Sequence, residues 1–217
     1  MFDPTQLPVM SLAGEAAVAP ARLNPTALRQ RFAQTLAWDP EISTETDDRL
    51  AAPFRRAAVL IPLVERPEGV TVLLTRRTDH LTSHAGQVSF PGGRSEDYDS
   101  SPIETALRET EEEIGLSRHR IEIIGVLPDY ATISAYRVTP VVALVEPPFT
   151  LQVDPGEVAE AFEVPLAWLM NGQHHQRREI TLPQGGSRAF YTMPYEQYFV
   201  WGATAAMLRN LFHFLRV

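Results

Sequence analysis

Apolar positions along the chain gather into short runs separated by Pro, Gly and charged clusters. AAVLIPLV at 57–64 and VTVLLT at 70–75 are near-continuous apolar stretches on either side of Pro67, Glu68 and Gly69, which predicts two strands and a turn. QVSF (87–90), IEIIGVL (121–127) and RVTPVVALV (137–145) read as further strands. EITL (179–182), AFYTM (189–193) and YFVW (198–201) continue the series, and an amphipathic helix closes the chain over about 203–215. The stretches PGGRSEDYDSS (91–101) and DPGEVAEAFEVPL (154–166) read as loops, with a short helix starting near Val164 and Pro165.

The best-specified helix lies between the first of those loops and Gly115. Ser101 supplies an N-cap, Pro102 the first helical position and Glu104 the acid of a capping box, while Gly115 supplies the stop. Residues 1–56 read as a Pro- and Ala-rich arm with a helix near 25–37, and 57–217 as the folded domain. Strands mixed with helices of this length predict an α/β or α+β sandwich.

Composition narrows the chemistry. The 217 residues are 44% hydrophobic and 21% charged, values of a globular domain. With no cysteine, disulfides, thiolate catalysis and cysteine metal sites are excluded. A formal net charge of −8 disfavours a broad nucleic-acid contact. No run approaches the ~20 apolar residues that span a bilayer. The start MFDPTQLPVM lacks a basic segment before an apolar run, so no signal peptide and a cytoplasmic location are expected.

Turned at ~100° per residue, the helix puts Ile103, Ala106, Leu107, Thr110 and Ile114 on one core-facing stripe. Glu109, Glu112 and Glu113 share a second arc, Glu111 lies off it, and Glu104 can pair with Arg108. Three carboxylates on one patch repel one another, in the last turns where the helix dipole prefers cations. A solvated acidic face is the plain reading of such a run. Gly92 and Gly93 just ahead of it, in FPGG, favour another: a bound Mg²⁺ or Mn²⁺ offsets both penalties, and glycine backbone can approach a metal-bound diphosphate closely.

These residues resemble the Nudix hydrolases, whose signature is G-x5-E-x7-R-E-U-x-E-E-x-G-U with U aliphatic. The chain has Gly93, then Arg108-Glu109-Thr110-Glu111-Glu112-Glu113-Ile114-Gly115-Leu116. It departs in carrying Asp99 at the first acid position, a spacer one residue longer and Thr110 in an aliphatic slot. Upstream, Leu73-Leu74-Thr75-Arg76-Arg77 and Gly86 through Phe90-Pro91-Gly92-Gly93 are similar to the extra motif of the coenzyme A pyrophosphatase branch. Thr78 and Thr82 are departures from that motif.

The resemblance implies an α/β/α sandwich whose mixed sheet carries a loop–helix–loop signature. It implies metal-dependent hydrolysis of coenzyme A to 4′-phosphopantetheine and adenosine 3′,5′-bisphosphate. Carried over by position, Glu109, Glu113 and the Gly93 carbonyl would be metal ligands and Glu112 a ligand directly or through water. Arg108 would orient the carboxylates, so that Glu109, Glu112 and Arg108 form the catalytic set. Arg76, Arg77 and Arg94, with Gly92 and Gly93, would meet the substrate. The general base stays open between Glu112 and one of Glu157, Glu160 and Glu163. Other nucleoside diphosphate derivatives (ADP-ribose, NADH) and a non-catalytic nucleotide sensor are the alternatives, and a homodimer is expected.

Several residues are set aside. His80 and His84 have helical zinc spacing but lie in a loop without H-E-x-x-H, and His174 and His175 read as an exposed loop. Trp168, Trp201, Leu208, Leu211, Phe212 and Leu215 read as core or interface.

Overall fold

The structure, a computed structural model, describes residues 3–41, 54–81, 84–132, 134–182 and 185–217; Thr82 lies outside them. In chain order come β1 (Val9–Leu12), α1 (Pro25–Ala33), β2 (Arg55–Val64), β3 (Thr71–Arg77), β4 (Val88–Ser89) and β5 (Gly92–Arg94). Next are α2 (Pro102–Ile114), β6 (Ile121–Val126), β7 (Tyr130–Ala131), β8 (Tyr136–Val145), β9 (Val158–Pro165) and α3 (Leu166–Leu169). The chain ends with β10 (Gln176–Thr181), β11 (Ser187–Tyr195), β12 (Tyr198–Trp201) and α4 (Gly202–Arg216).

One mixed sheet runs β4-β3-β2-β8-β6, with β5 also on β2, β7 also on β8 and β9 also on β3. Its centre is the parallel pair β2 and β8, joined from Arg55↔Tyr136 to Val64↔Val145. Both strands are buried on both faces, which explains why their sequences show no alternation. Ala58, Leu60, Val141 and Ala143 face Ala106 of α2. Ile61, Leu63, Val142 and Leu144 face the larger core, which α4 closes with Leu208, Leu211, Phe212 and Leu215. Helices thus cover a mixed sheet from both sides, the α/β sandwich expected.

A second, antiparallel sheet, β1-β10-β11-β12, leads into α4. Segments of residues 3–41 pack onto this body. Val18, Leu23 and Leu28 join the larger core, and β1 forms the edge of the small sheet. Arg22 donates to the carbonyls of Leu215, Arg216 and Val217 at the end of α4.

Some local expectations need correction. The loop at 91–101 opens with β5, and most of 154–166 is β9, laid antiparallel along β3 from Thr71↔Pro165. Glu and Ala in β9 favour helix by propensity, but the open edge of β3 supplies backbone partners that outrank it. The early helix stops at Ala33. His175 is fully buried, with Nε2 2.7 Å from the Leu169 carbonyl and Nδ1 3.1 Å from Arg209 Nη1.

Candidate active site

Helix α2 is fixed at both ends as its sequence predicts. Ser101 Oγ accepts from the Glu104 N–H at 3.2 Å. Gly115 sits in the left-handed region at φ 66° and donates its N–H to the Glu111 carbonyl. Ala106, Thr110 and Ile114 are fully buried, which commits that face to the sheet and turns Glu109 and Glu113 toward β5. Glu104 pairs with Arg118 and not with Arg108, because Arg108 is drawn away by Asp99.

Gly92 and Gly93 allow backbone and helix to meet. Gly92 lies opposite Val59 of β2 at φ 150°, and a methyl group there would overlap the Ala58 carbonyl and Val59 Cα. At Gly93 a methyl would overlap the Glu109 carboxylate, so Glu109 reaches the glycine backbone only because no side chain intervenes.

The Gly92 N–H donates to Glu113 Oε2 at 3.1 Å, and Arg77 Nη1 lies 3.8 Å from Glu113 Oε1. The Glu113 side chain is only 5% exposed. Burial pushes its pKa up to about 7, against the pull of the Gly92 N–H and Arg77, with Glu157 and Glu109 adding repulsion. Glu109 is also raised above the ordinary carboxylate range by burial, which outweighs Arg108, while Glu112 and Glu157 push the same way.

Arg108 is the hub. Its Nε and Nη2 form a fork on Asp99 at 3.0 and 2.8 Å, and Nη2 also donates to the Arg94 carbonyl at 3.1 Å. Nη1 reaches Glu109 Oε1 at 2.8 Å and Glu112 Oε2 at 3.0 Å. This fork holds Asp99 well below the usual carboxylate range, and Asp99 in turn raises Arg108. The shorter Asp at this position therefore serves as the anchor of Arg108.

Among the described residues no three acidic or histidine side chains converge as a ready metal cage. Arg108 draws Glu109 and Glu112 to one side, while the Gly92 N–H and Arg77 draw Glu113 to the other. Glu112 is 59% exposed. The donors still suit a hard divalent cation. They are carboxylate oxygens, those of buried Glu113 and half-buried Glu109 having pKa values raised by burial, and such a cation would supply counter-charge to their ionised forms. Members of the Nudix family generally use Mg²⁺ or Mn²⁺.

A cleft of about 540 Å³ adjoins the carboxylates and shares Arg77 and Gly92 with them. Phe90, Tyr130, Trp201 and Met207 supply apolar wall, Arg77 and Arg188 supply charge, and no acidic residue is among the described residues that line it. Sequence reasoning missed Arg188 and read Trp201 as core or interface. No spacing rule links 188 or 201 to the signature.

The remaining candidates separate. Arg76 pairs with Glu160 at 2.7 Å and Asp79 at 3.6 Å. Arg94 lines a different cleft with Arg55, Arg56 and Arg137, on the Asp99 side of the helix. Glu163 is held by Arg66 and Thr71, whereas Glu157 adds repulsion at both Glu109 and Glu113. His84 lines the 540 Å³ cleft and lies 2.9 Å from Gln87 Oε1, whereas His80 is 3.4 Å from Thr78.

The NUDIX domain family matches residues 54–184. The chain is 44% identical over 172 residues to a protein of Escherichia coli (strain K12) described as "Uncharacterized Nudix hydrolase NudL", covering 79% of this chain and 86% of the relative. Among solved structures, the MutT protein from Methanosarcina mazei Go1 aligns at TM-score 0.49 and 19% identity, covering 75% of this chain and 94% of that one. The NUDIX domain of Shewanella oneidensis NrtR, complexed with ADP ribose, aligns at TM-score 0.42 and 20% identity, covering 56% and 79%. On the family match and the 44% identical relative, the chain belongs to the Nudix hydrolases.

Proposed function

We propose that this hydrolase cleaves the diphosphate of coenzyme A or its thioesters, giving 4′-phosphopantetheine or its acyl form and adenosine 3′,5′-bisphosphate. Hydrolysis of a nucleoside diphosphate derivative follows from the family, and with it the chain is read as an enzyme and not as a nucleotide sensor. The observation that carries the finer reading is the cleft, without an acid among its described lining residues, that joins the Glu113 carboxylate at Arg77 and Gly92. A long substrate with an anionic centre and a partly apolar arm suits such walls. The run from Leu73 to Gly93 supports the same choice by its likeness to the coenzyme A branch.

Glu109, Glu113 and the Gly93 carbonyl would hold Mg²⁺ or Mn²⁺, with Glu112 bound directly or through water. When bound, the cation neutralises the diphosphate and acidifies a water. Arg108 keeps Glu109 and Glu112 aligned, and Arg77 faces the diphosphate from the cleft side. The attacking water gives its proton to a carboxylate oxygen of Glu112 or Glu157. Its oxygen bonds to one phosphorus as the bond from that phosphorus to the bridging oxygen breaks. A cytoplasmic homodimer belongs to the same reading.

The test is incubation with coenzyme A, ADP-ribose and NADH, with and without Mg²⁺ or Mn²⁺, with products identified by mass. Adenosine 3′,5′-bisphosphate released only with metal is expected. Cleavage confined to ADP-ribose or NADH moves the enzyme to another nucleoside diphosphate derivative.

A further inference from the structure

The cleft on the Asp99 side of α2 holds about 660 Å³ and shares no described lining residue with the one beside Glu113. The parallel pairing of β2 with β8 shapes it. Arg56 lies directly opposite Arg137 and Ala58 opposite Thr139, in unbroken register from Arg55 to Val64. Ala58, Leu60, Val141 and Ala143 face Ala106 of α2. The alternation of a strand therefore puts Arg56 and Arg137 on that same face, in one cleft with Ser101, Pro102 and Thr105 at the start of the helix.

Like charges directly opposite one another in a sheet repel, and the start of α2 adds its own positive end. Carboxylates are at hand, since the chain carries 27 acidic against 19 basic residues and Glu96, Asp97, Asp99 and Asp129 line this cleft. Among the described residues none of them pairs with Arg56 or Arg137. Asp99 is taken by Arg108, Asp129 accepts from Thr139 Oγ1 at 2.7 Å, and Glu96 and Asp97 point to solvent as exposed residues. Arg137 sits 5.5 Å from the Phe54 ring, which limits its rotamers and leaves its N–H donors unused. The cleft also touches the signature. Arg94, on its wall, gives its carbonyl to Arg108 Nη2 at 3.1 Å, and Thr105 Oγ1 bonds to Asp99 Oδ2 at 2.9 Å.

We propose that Arg56 and Arg137 form a second anion site, which takes a phosphate dianion other than the diphosphate that is cleaved. Two guanidiniums in register present donors to tetrahedral oxygens, and the bound anion offsets the repulsion between them. That phosphate is either free inorganic phosphate or a phosphomonoester carried by the substrate, and the chemistry recognised is the same. The existence of the site does not depend on the coenzyme A reading.

Inorganic phosphate is the probe. Urea midpoints of the metal-free protein are measured in sodium phosphate and in sodium chloride of equal ionic strength. The proteins compared are the wild type, the double variant Arg56→Met with Arg137→Met, and Arg77→Met. In chloride the double variant should be at least as stable as the wild type, because the like-charge pair is gone. Phosphate should raise the midpoint of the wild type and of Arg77→Met, and leave the double variant at its chloride value. Calorimetry should give phosphate binding at least about tenfold weaker in the double variant. No phosphate-specific shift in the wild type overturns the site. So does a shift that Arg77→Met abolishes and the double variant keeps. Titration of phosphate into the protein with coenzyme A already bound separates the two sources. Phosphate binding blocked by coenzyme A assigns the site to the substrate's own phosphomonoester, and binding retained assigns it to free phosphate. Neither outcome requires that coenzyme A be cleaved, so the site and the proposed activity fail separately.

Discussion

Glu113 shows at residue scale how one carboxylate of an acidic run is set apart from its neighbours. Its neighbours in sequence, Glu111 and Glu112, belong to the same acidic run, yet Glu111 is spent on Arg118 and Glu112 is largely in solvent. Burial against Gly92 is what separates Glu113 from them. Glu113→Gln should lower turnover by orders of magnitude with the melting temperature kept or raised, because it removes a buried charge. Full activity in a folded variant would take Glu113 out of the metal site. Its pKa of about 7 also fixes a pH dependence. Below that value the carboxyl is protonated, so Mg²⁺ or Mn²⁺ must displace a proton, and affinity should fall toward about tenfold per pH unit as pH drops below 7. Calorimetry in buffers of different ionisation enthalpy would register the released proton, and proton-free binding at pH 6 would contradict the assignment.

At the scale of the element, the unit is β5 with α2, and its glycines divide fold from chemistry. A methyl group at Gly92 meets the backbone of β2, which cannot yield without moving the central strand. A methyl group at Gly93 meets the far end of the Glu109 side chain, which can swing aside. Gly92→Ala should therefore cost about 2 kcal/mol or more of stability. Gly93→Ala should unfold at a denaturant concentration close to that of the wild-type protein, yet lose most of its activity as the carboxylate is displaced. Urea melts beside initial rates test the pair, and matched stability losses would refute the division. The helix was legible in sequence because Ser101, Pro102 and Gly115 act locally. Strand β5 was not, because a Gly-Gly-Arg segment pairs only when the β2 edge is beside it.

The whole molecule adds a buried polar junction far from the carboxylates. Arg209 of α4, 3% exposed, bonds to Glu15 and Glu41 from the first forty-one residues and to His175 ahead of β10. With Arg209 donating to Nδ1, His175 must donate from Nε2 to the Leu169 carbonyl, so only the neutral ring satisfies both contacts. Burial lowers its pKa from 6.5 to about 4. The unfolded chain therefore binds this proton first as pH falls. Stability should be full above about 6.5 and decline toward pH 4, by at most about 3 kcal/mol from this group. Urea midpoints across that window should slope in the wild-type protein and flatten in His175→Gln, and identical slopes would rule out the histidine. Spacing along the chain read His174 and His175 as an exposed loop, since nothing near 175 announces an arginine at 209.

By itself the sequence determined the strands at 57–64 and 137–145, the capped helix between them and the carboxylates on its outer arc. These follow from apolar runs, caps and helical period, which are properties of neighbours along the chain. Tertiary structure decided which carboxylate is buried, that Asp99 anchors Arg108, that 158–165 is a strand, and that Arg77 alone of the candidate arginines reaches Glu113. It also brought Arg188 and Trp201 to the cleft. Burial, pKa and the meeting of side chains more than a hundred residues apart depend on the packing of two sheets, and no local pattern encodes that distance.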